Sequence, residues 1–191
     1  TPEAYEGYYR DIATFAFPNN SVQTNEIPHV TTSTGATAQF LALKNNKKNF
    51  SSSDSCWIQY TFKEAFTCRA IQVNVQGFNY QSGRLIIQVS DDGKTFRNVT
   101  RLKPPRAGWL DWDVAVTHAV EPIKSKYFRF VYNPAGSEPG AEDLDAAKWK
   151  PNLKVSNILL LSEPRINQFE GKSGMVWRIS EPTASNEIND D

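Results

Sequence analysis

Asp111 and Asp113 bracket Trp112, and on a strand residues i and i+2 share a face. Two carboxylates on one face can bind a cation or act on a sugar. Glycoside hydrolysis needs its two carboxyls roughly 5–9 Å apart across the sugar. Neighbours on one strand meet that poorly, so the pair reads as two solvated charges. Glu142, Asp143 and Asp145 form a second acidic group. It lacks the alternating ligands and the glycine of an EF-hand, and reads as a solvated loop. The two histidines, His29 and His118, fall in a polar loop and at a strand end, and both read as ordinary hydrogen-bonded side chains. No G-x-S-x-G elbow presents a serine. There is no C-x-x-C and no Cys/His cluster, which argues against zinc. No residue here takes the role of acid, base or nucleophile, and the chain is not expected to be an enzyme.

A second set of residues suits binding. Phe78, Asn79 and Tyr80 lie in one connection, Trp109 in another and Trp149 in a third, with Trp112 and Arg84 at the edges and Arg101, Arg106 and Lys148 nearby. Sugars present flat C–H faces that stack on aromatic rings, while their hydroxyls take planar donors and acceptors. The candidate ligand-binding residues are therefore Asn79, Tyr80, Arg84, Trp109, Trp112 and Trp149. Each tryptophan has a plainer use as well, which is to pin a long loop to the core.

The elements that position them are strands. In CWIQYTF, Ile58, Tyr60 and Phe62 fall on one face and Trp57, Gln59 and Thr61 on the other. In IQVNV, Ile71, Val73 and Val75 alternate with Gln72 and Asn74. A period of two is the mark of a half-buried strand. Asp92-Gly93 signals a tight hairpin, because glycine tolerates positive φ. Strands are expected near 12–17, 58–62, 70–76, 84–90, 95–100, 112–118, 126–133 and 154–162. Turns are expected at 63–69 and 119–125, a strand or helical turn at 38–44, and a helical turn over 142–148. In an antiparallel sandwich successive connections alternate between ends. The turn at 63–69, the Asp92-Gly93 hairpin and the 119–125 connection then share one end. Loops 45–55, 77–83, 101–111 and 134–152 share the other, with the candidate residues.

Composition excludes several classes. Lys plus Arg and Asp plus Glu balance at 21 each. That argues against nucleic acid, which needs a positive field to displace counterions. No apolar run approaches the ~20 residues of a membrane span. A chain this long buries roughly 70% of its unfolded surface and needs no metal to fold. It shows no signal peptide and begins at Thr1, and reads as mature or as an excised fragment. Cys56 and Cys68 flank the first strand pair; a disulfide and two buried thiols are both open. Asn49-Phe50-Ser51 and Asn98-Val99-Thr100 are sequons that matter only in a eukaryotic secretory setting.

WIQYTF, IQVNVQG, IIQVSDDGKTFRNV and KYFRFVYN, in that order, resemble the discoidin-like, galactose-binding-like family over roughly Phe40 to Pro164. The resemblance implies an all-β antiparallel β-sandwich of jelly-roll type with long loops at one end. Such domains often hold a structural calcium in the loop before the W-I-x strand. The matching stretch, ALKNNKKNFSSSDS, offers Asn45, Asn46 and Asp54 beside three lysines, Lys44, Lys47 and Lys48. That departs from the acidic pattern, so no cofactor is expected, and backbone carbonyl oxygens are the remaining ligands for calcium.

YYRDIATFAFP and LLLSEPRINQFEGKSGMVWRI resemble segments that flank an inserted sandwich in bacterial α-L-rhamnosidase-type glycoside hydrolases. The implied division is an N-terminal extension with an entry strand at 1–39, the sandwich at 40–164, and a C-terminal extension at 165–191 toward a neighbouring domain. The implied role is a noncatalytic accessory module in the periplasm or outside the cell, with plant-type glycan and the catalytic domain of the same polypeptide as partners. A ligand-free spacer, which apolar patches at 12–17 and 175–177 would favour, and a discoidin-like adhesion module are the alternatives.

Overall fold

A computed structural model of the chain describes residues 26–75, 79–107, 114–136, 151–176 and 178–179. The strand expected at 12–17 and the helical turn expected at 142–148 lie outside these residues. The described strands are β1 (His29–Thr32), β2 (Phe50–Ser52), β3 (Cys56–Asn74), β4 (Ile86–Ser90), β5 (Arg97–Arg101), β6 (Arg106–Ala107), β7 (Val116–Tyr132), β8 (Leu153–Val155), β9 (Asn157–Leu161) and β10 (Arg178–Ile179). All their pairings are antiparallel. The main sheet runs β1-β3-β7-β4-β5, with β9 beside the last residues of β3; β2 pairs β8 and β6 pairs β10. This is the expected all-β sandwich.

The period of two builds it. Cys56, Ile58, Tyr60 and Phe62 are buried, while Trp57, Gln59 and Thr61 are half-buried on the other face. The ladder then does something the sequence does not announce. Lys63, Glu64 and Ala65 are all exposed, and alternation resumes at Phe66 and Cys68. The register with β7 shifts between Thr61 and Phe66. Three outward residues in a row turn the strand round a corner without ending it, as a bulge does. The expected turn at 63–69 is therefore the bend of one long strand. Phe62 and Phe66 stack inside it, centroids 4.5 Å apart and planes 3° from parallel. The expected 119–125 connection is likewise interior to β7, where exposed Glu121-Pro122 falls at a second register shift, between Cys68 and Ala70 of β3. Proline lacks an N–H and is tolerated where the ladder is interrupted.

Three smaller expectations resolve, one of them against the sequence reading. The expected strand at 154–162 breaks at Ser156, whose N–H donates to the Asn74 carbonyl at 2.8 Å, and β8 and β9 join different sheets. Residues 39–42 form a 3-10 turn. Cys56 and Cys68 are free and buried. They lie far apart on one continuous strand, opposite Tyr132 and Ile123, so no hairpin brings them together. Burial pushes the Cys68 thiol up to about 12, far from reactive.

The core is aromatic. Tyr60, Phe128 and Phe130 are fully buried, with Tyr60 edge-on to Phe130 at 5.5 Å and Phe62 edge-on to Phe128 at 5.9 Å. The Tyr60 hydroxyl donates to the Leu41 carbonyl at 3.2 Å, and burial raises its pKa well above the usual tyrosine value. Residues 167–172 of the C-terminal segment are tied to β7. Gln168, at φ 53°, donates its N–H to the Thr117 carbonyl at 2.7 Å. The buried Glu170 carboxylate accepts from Thr117 N–H and Oγ1 at 3.1 and 2.5 Å.

Candidate functional site

The described parts of the long loops converge at one end of the sandwich. Ser55 Oγ donates to Asn133 Oδ1 at 3.4 Å, joining the start of β3 to the end of β7. At the opposite end Ser125 Oγ donates to the Ser90 carbonyl at 2.8 Å, placing the Asp92-Gly93 turn beside the bend of β7. Among the described residues the bend of β3, the bend of β7 and the Asp92-Gly93 turn thus share one end, the first two as bends of continuous strands and not as the expected turns.

The centre of the long-loop end is the 3-10 turn Tyr80–Arg84. Asn79 caps it: Oδ1 accepts from Ser82 N–H at 3.0 Å, and Ser82 Oγ donates back to the Asn79 carbonyl at 2.8 Å. Asn79 Nδ2 donates to the Asn152 carbonyl at 3.0 Å. On the other side the Arg84 carbonyl accepts from Arg101 Nε at 3.2 Å, and Leu102 N–H donates to the Leu85 carbonyl at 3.0 Å. Gly83 lies against Pro104 so closely that a Cβ there would sit 2.8 Å from the proline Cβ. The turn is therefore pinned to two places at once. Residue 152 closes the loop that carries Trp149, and residues 101–104 open the loop that carries Trp109 and Trp112.

Of the six candidates, Asn79 and Arg84 are half-buried in this turn and the Tyr80 backbone belongs to it. Trp109, Trp112 and Trp149 lie outside the described residues, as do the acidic residues Asp111, Asp113, Glu142, Asp143 and Asp145. Both ends of the Asn79 amide are engaged in shaping the turn. Arg101 brings its guanidinium to the turn through the Arg84 carbonyl, while Arg84 Nη1 is itself buried. A groove of about 340 Å³ opens elsewhere, beside β1 and β9, and none of the six candidates lines it.

No family model matches the chain, and no curated protein matches it in sequence. Solved structures do match. A rhamnosidase from Novosphingobium sp. PP1Y superposes with a TM-score of 0.52 at 17% identity, over 80% of this chain. A fucolectin from the serum of striped bass, Morone saxatilis, superposes with a TM-score of 0.50 at 11% identity, over 70% of this chain. The fold is the discoidin-like, galactose-binding-like sandwich. The chain spans 13% of the rhamnosidase and 46% of the fucolectin.

The galactose-binding-like sandwich raises the question of calcium, and the loop before β3 answers it. Asn46 Nδ2 donates to the Lys48 carbonyl at 2.6 Å and to the Ser156 carbonyl at 2.7 Å, while its Oδ1 accepts from Lys48 N–H at 2.8 Å. Flipping the amide would set an oxygen against two carbonyl oxygens, so the donor assignment is forced. A cation drawing those carbonyls together would have to stand where the amide nitrogen stands. Asp54, the single carboxylate of the stretch, is exposed and its backbone is tied to Ser52 Oγ. Among the described residues no group of three or more His, Cys, Asp or Glu is placed to hold a metal. The residues do not fit calcium; an amide closes this loop instead.

The galactose-binding-like sandwich also carries a feature that sequence reasoning missed. On the outer face of the main sheet the Arg129 guanidinium lies over Trp57 at 4.3 Å and over Phe96 at 3.6 Å, measured to the ring centroids. Its Nε donates to Gln59 Oε1 at 2.9 Å. Partial burial between the rings lowers its pKa. The available signal was that Trp57 occupies an outward position of its strand, as Arg129 does in FRF.

Proposed function

We propose that this chain is a noncatalytic accessory module of a secreted bacterial carbohydrate-active enzyme and binds neutral glycan at its long-loop end. One observation carries the reading: a capped turn bearing Asn79, Tyr80 and Arg84 is fastened to the feet of both tryptophan-bearing loops. That is how two aromatic loops are given a polar base on which a sugar ring can be stacked and its hydroxyls met. The names of the two similar structures, a rhamnosidase and a fucolectin, support a carbohydrate context. The flanking motifs support a glycoside hydrolase of α-L-rhamnosidase type as the parent, working in the periplasm or outside the cell.

A second reading, docking against the catalytic domain, has its own observation. Phe169 and Met175 are 45% and 64% exposed on the C-terminal segment that Gln168 and Glu170 hold to β7. Apolar side chains fixed on a tied-down segment suit an interdomain contact. The adhesion reading has no comparable support.

The deciding experiment is a glycan array on the intact chain, including rhamnose-containing oligosaccharides, with Trp109→Ala, Trp149→Ala and Arg84→Ala. Saturable binding that any of the three variants reduces at least tenfold is expected. Absence of binding to every neutral glycan would leave the docking role.

A further inference from the structure

The outer face of the main sheet is unlike the rest of this electrically balanced chain. The strand registers place Thr31, Gln59, Arg129, Gln88 and Asn98 in one row across β1, β3, β7, β4 and β5. The row beside it holds Trp57, Val131, Ile86 and Arg101, and the next holds Thr61, Tyr127 and Ser90. None of these residues is acidic, although the chain has 21 Asp and Glu in all. Gln88 Nε2 donates to Asn98 Oδ1 at 2.8 Å and Arg129 Nε to Gln59 Oε1, so the central row is a ladder of amides around one guanidinium.

Arg129 is prepared to receive something. Two rings hold its plane, and Gln59 occupies the Nε edge. No further partner engages it among the described residues. Its entropy and part of its hydration are already lost, so a carboxylate meeting the two terminal nitrogens makes a bidentate pair at small additional ordering cost. With strands ~4.8 Å apart and ~3.4 Å per residue along them, Arg101 lies roughly 12 Å from Arg129 at the backbone. That is a span of a few sugar rings. Amides suit the hydroxyls between, and an open face admits a chain rather than a chain end.

We propose that this outer face is a second binding surface, taking a carboxylate-bearing polysaccharide across the strands with Arg129 as its anchor. It is distinct from the long-loop end in residues and in ligand charge, and does not depend on the reading of that end.

The test uses the intact chain with polygalacturonate, its fully methyl-esterified form, and a neutral galactan, read by affinity electrophoresis and calorimetry. Polygalacturonate is expected to retard the chain, less so as salt rises. Esterification is expected to abolish the effect. Arg129→Gln should weaken binding at least tenfold, and Arg129→Lys should recover only part of it, because a lysine restores charge but not the fork. Arg101→Gln should weaken it less. Lys63→Gln, which removes a charge at the corner of β3, should leave it unchanged. Gln88→Glu adds a negative charge to an exposed rung without touching the ring clamp. It should abolish binding even if Arg129 variants fail to fold. The proposal is overturned if the wild type ignores polygalacturonate, if the ester binds equally, or if Gln88→Glu binds as the wild type does. Equal retardation by polyglutamate would overturn the assignment to a sugar. The galactan arm reports on the long-loop end, so the two readings fail separately.

Discussion

Ile58, Tyr60 and Phe62 look into the sandwich from the same strand that turns Trp57, Gln59 and Thr61 out of it. Phe128 and Phe130 do so from β7, and Ile87 and Val89 from β4, against Arg129 and Gln88 on the other side. The inner set is entirely apolar apart from one satisfied tyrosine hydroxyl. The outer set is aromatic, amide, hydroxyl and arginine. Only a one-residue alternation separates what folding requires from what a ligand can meet, and a slip of one residue would exchange them. The bulges between Thr61 and Phe66 and between Ile87 and Gln88 change the register only where the sheet bends or twists.

The comparison breaks most visibly from the inside. Phe130 is fully buried and edge-on to Tyr60. Phe130→Ala is expected to cost about 3–5 kcal/mol, through lost transfer energy and the cavity left behind. Urea unfolding with the slope unchanged would measure it. A loss under about 1 kcal/mol would mean the inner face is loosely packed and the contrast between faces is overstated.

A half-buried polar fastener should fall between the two faces. Asn46→Ala strips the donor from the Lys48 and Ser156 carbonyls and is expected to cost about 1–2 kcal/mol. The same melts carry the metal test. Because an amide nitrogen holds the cation's place, added calcium should not raise the melting temperature of the wild type, nor a chelator lower it. A calcium-dependent rise would show that the loop opens to take the ion.

The outer face should be nearly silent in stability. Gln88→Ala removes one exposed hydrogen bond to Asn98 and should change stability by no more than about 0.5 kcal/mol. A larger effect would make the amide ladder a folding device and weaken the case for a binding surface.

How far the chain could be read in advance follows the same division. Alternation at 57–62 and 71–75 was legible because one face of each strand is buried and the pattern is local. The Asp92-Gly93 turn was legible because its requirement is local too: Gly93 has φ +72°, with the Tyr127 ring 3.0 Å behind a would-be Cβ. The continuity of β3 through Lys63-Glu64-Ala65 was not, since three polar or small residues in a row look like a turn unless the partner strand is known. With that turn goes the hairpin that would have paired Cys56 with Cys68, and the two buried thiols remain. At the long-loop end, Asn79 was legible as a loop residue, but its work as a cap bonded to residue 152 depends on a contact far along the chain. Trp57, Phe96 and Arg129 were each visible, and no local rule joins them. The register that stacks Arg129 beside Gln59 links residues 70 positions apart.

The smallest effect tests the turn at the end of β4, where both faces stop. Asp92 Oδ1 accepts from Lys94 N–H, Thr95 N–H and Ser90 Oγ, each at 2.8 Å. These donors favour the ionised form and hold the carboxyl down to about 2, against an ordinary value near 3.8. A pKa lower in the folded state means the unfolded chain binds the proton more tightly. The stabilisation from Asp92 is therefore complete above about pH 4 and lost as pH falls through about 2. Asp92→Asn keeps an acceptor oxygen but removes the titration. Plotted as urea midpoint against pH, wild type and variant should differ most above pH 4 and converge toward pH 2. The carboxylate is fully exposed and screened by salt, so the gap should narrow as salt is added. A gap unchanged from pH 5 to pH 2 would mean that the turn is held by its shape alone, with Gly93 and Tyr127 sufficient and the charge incidental.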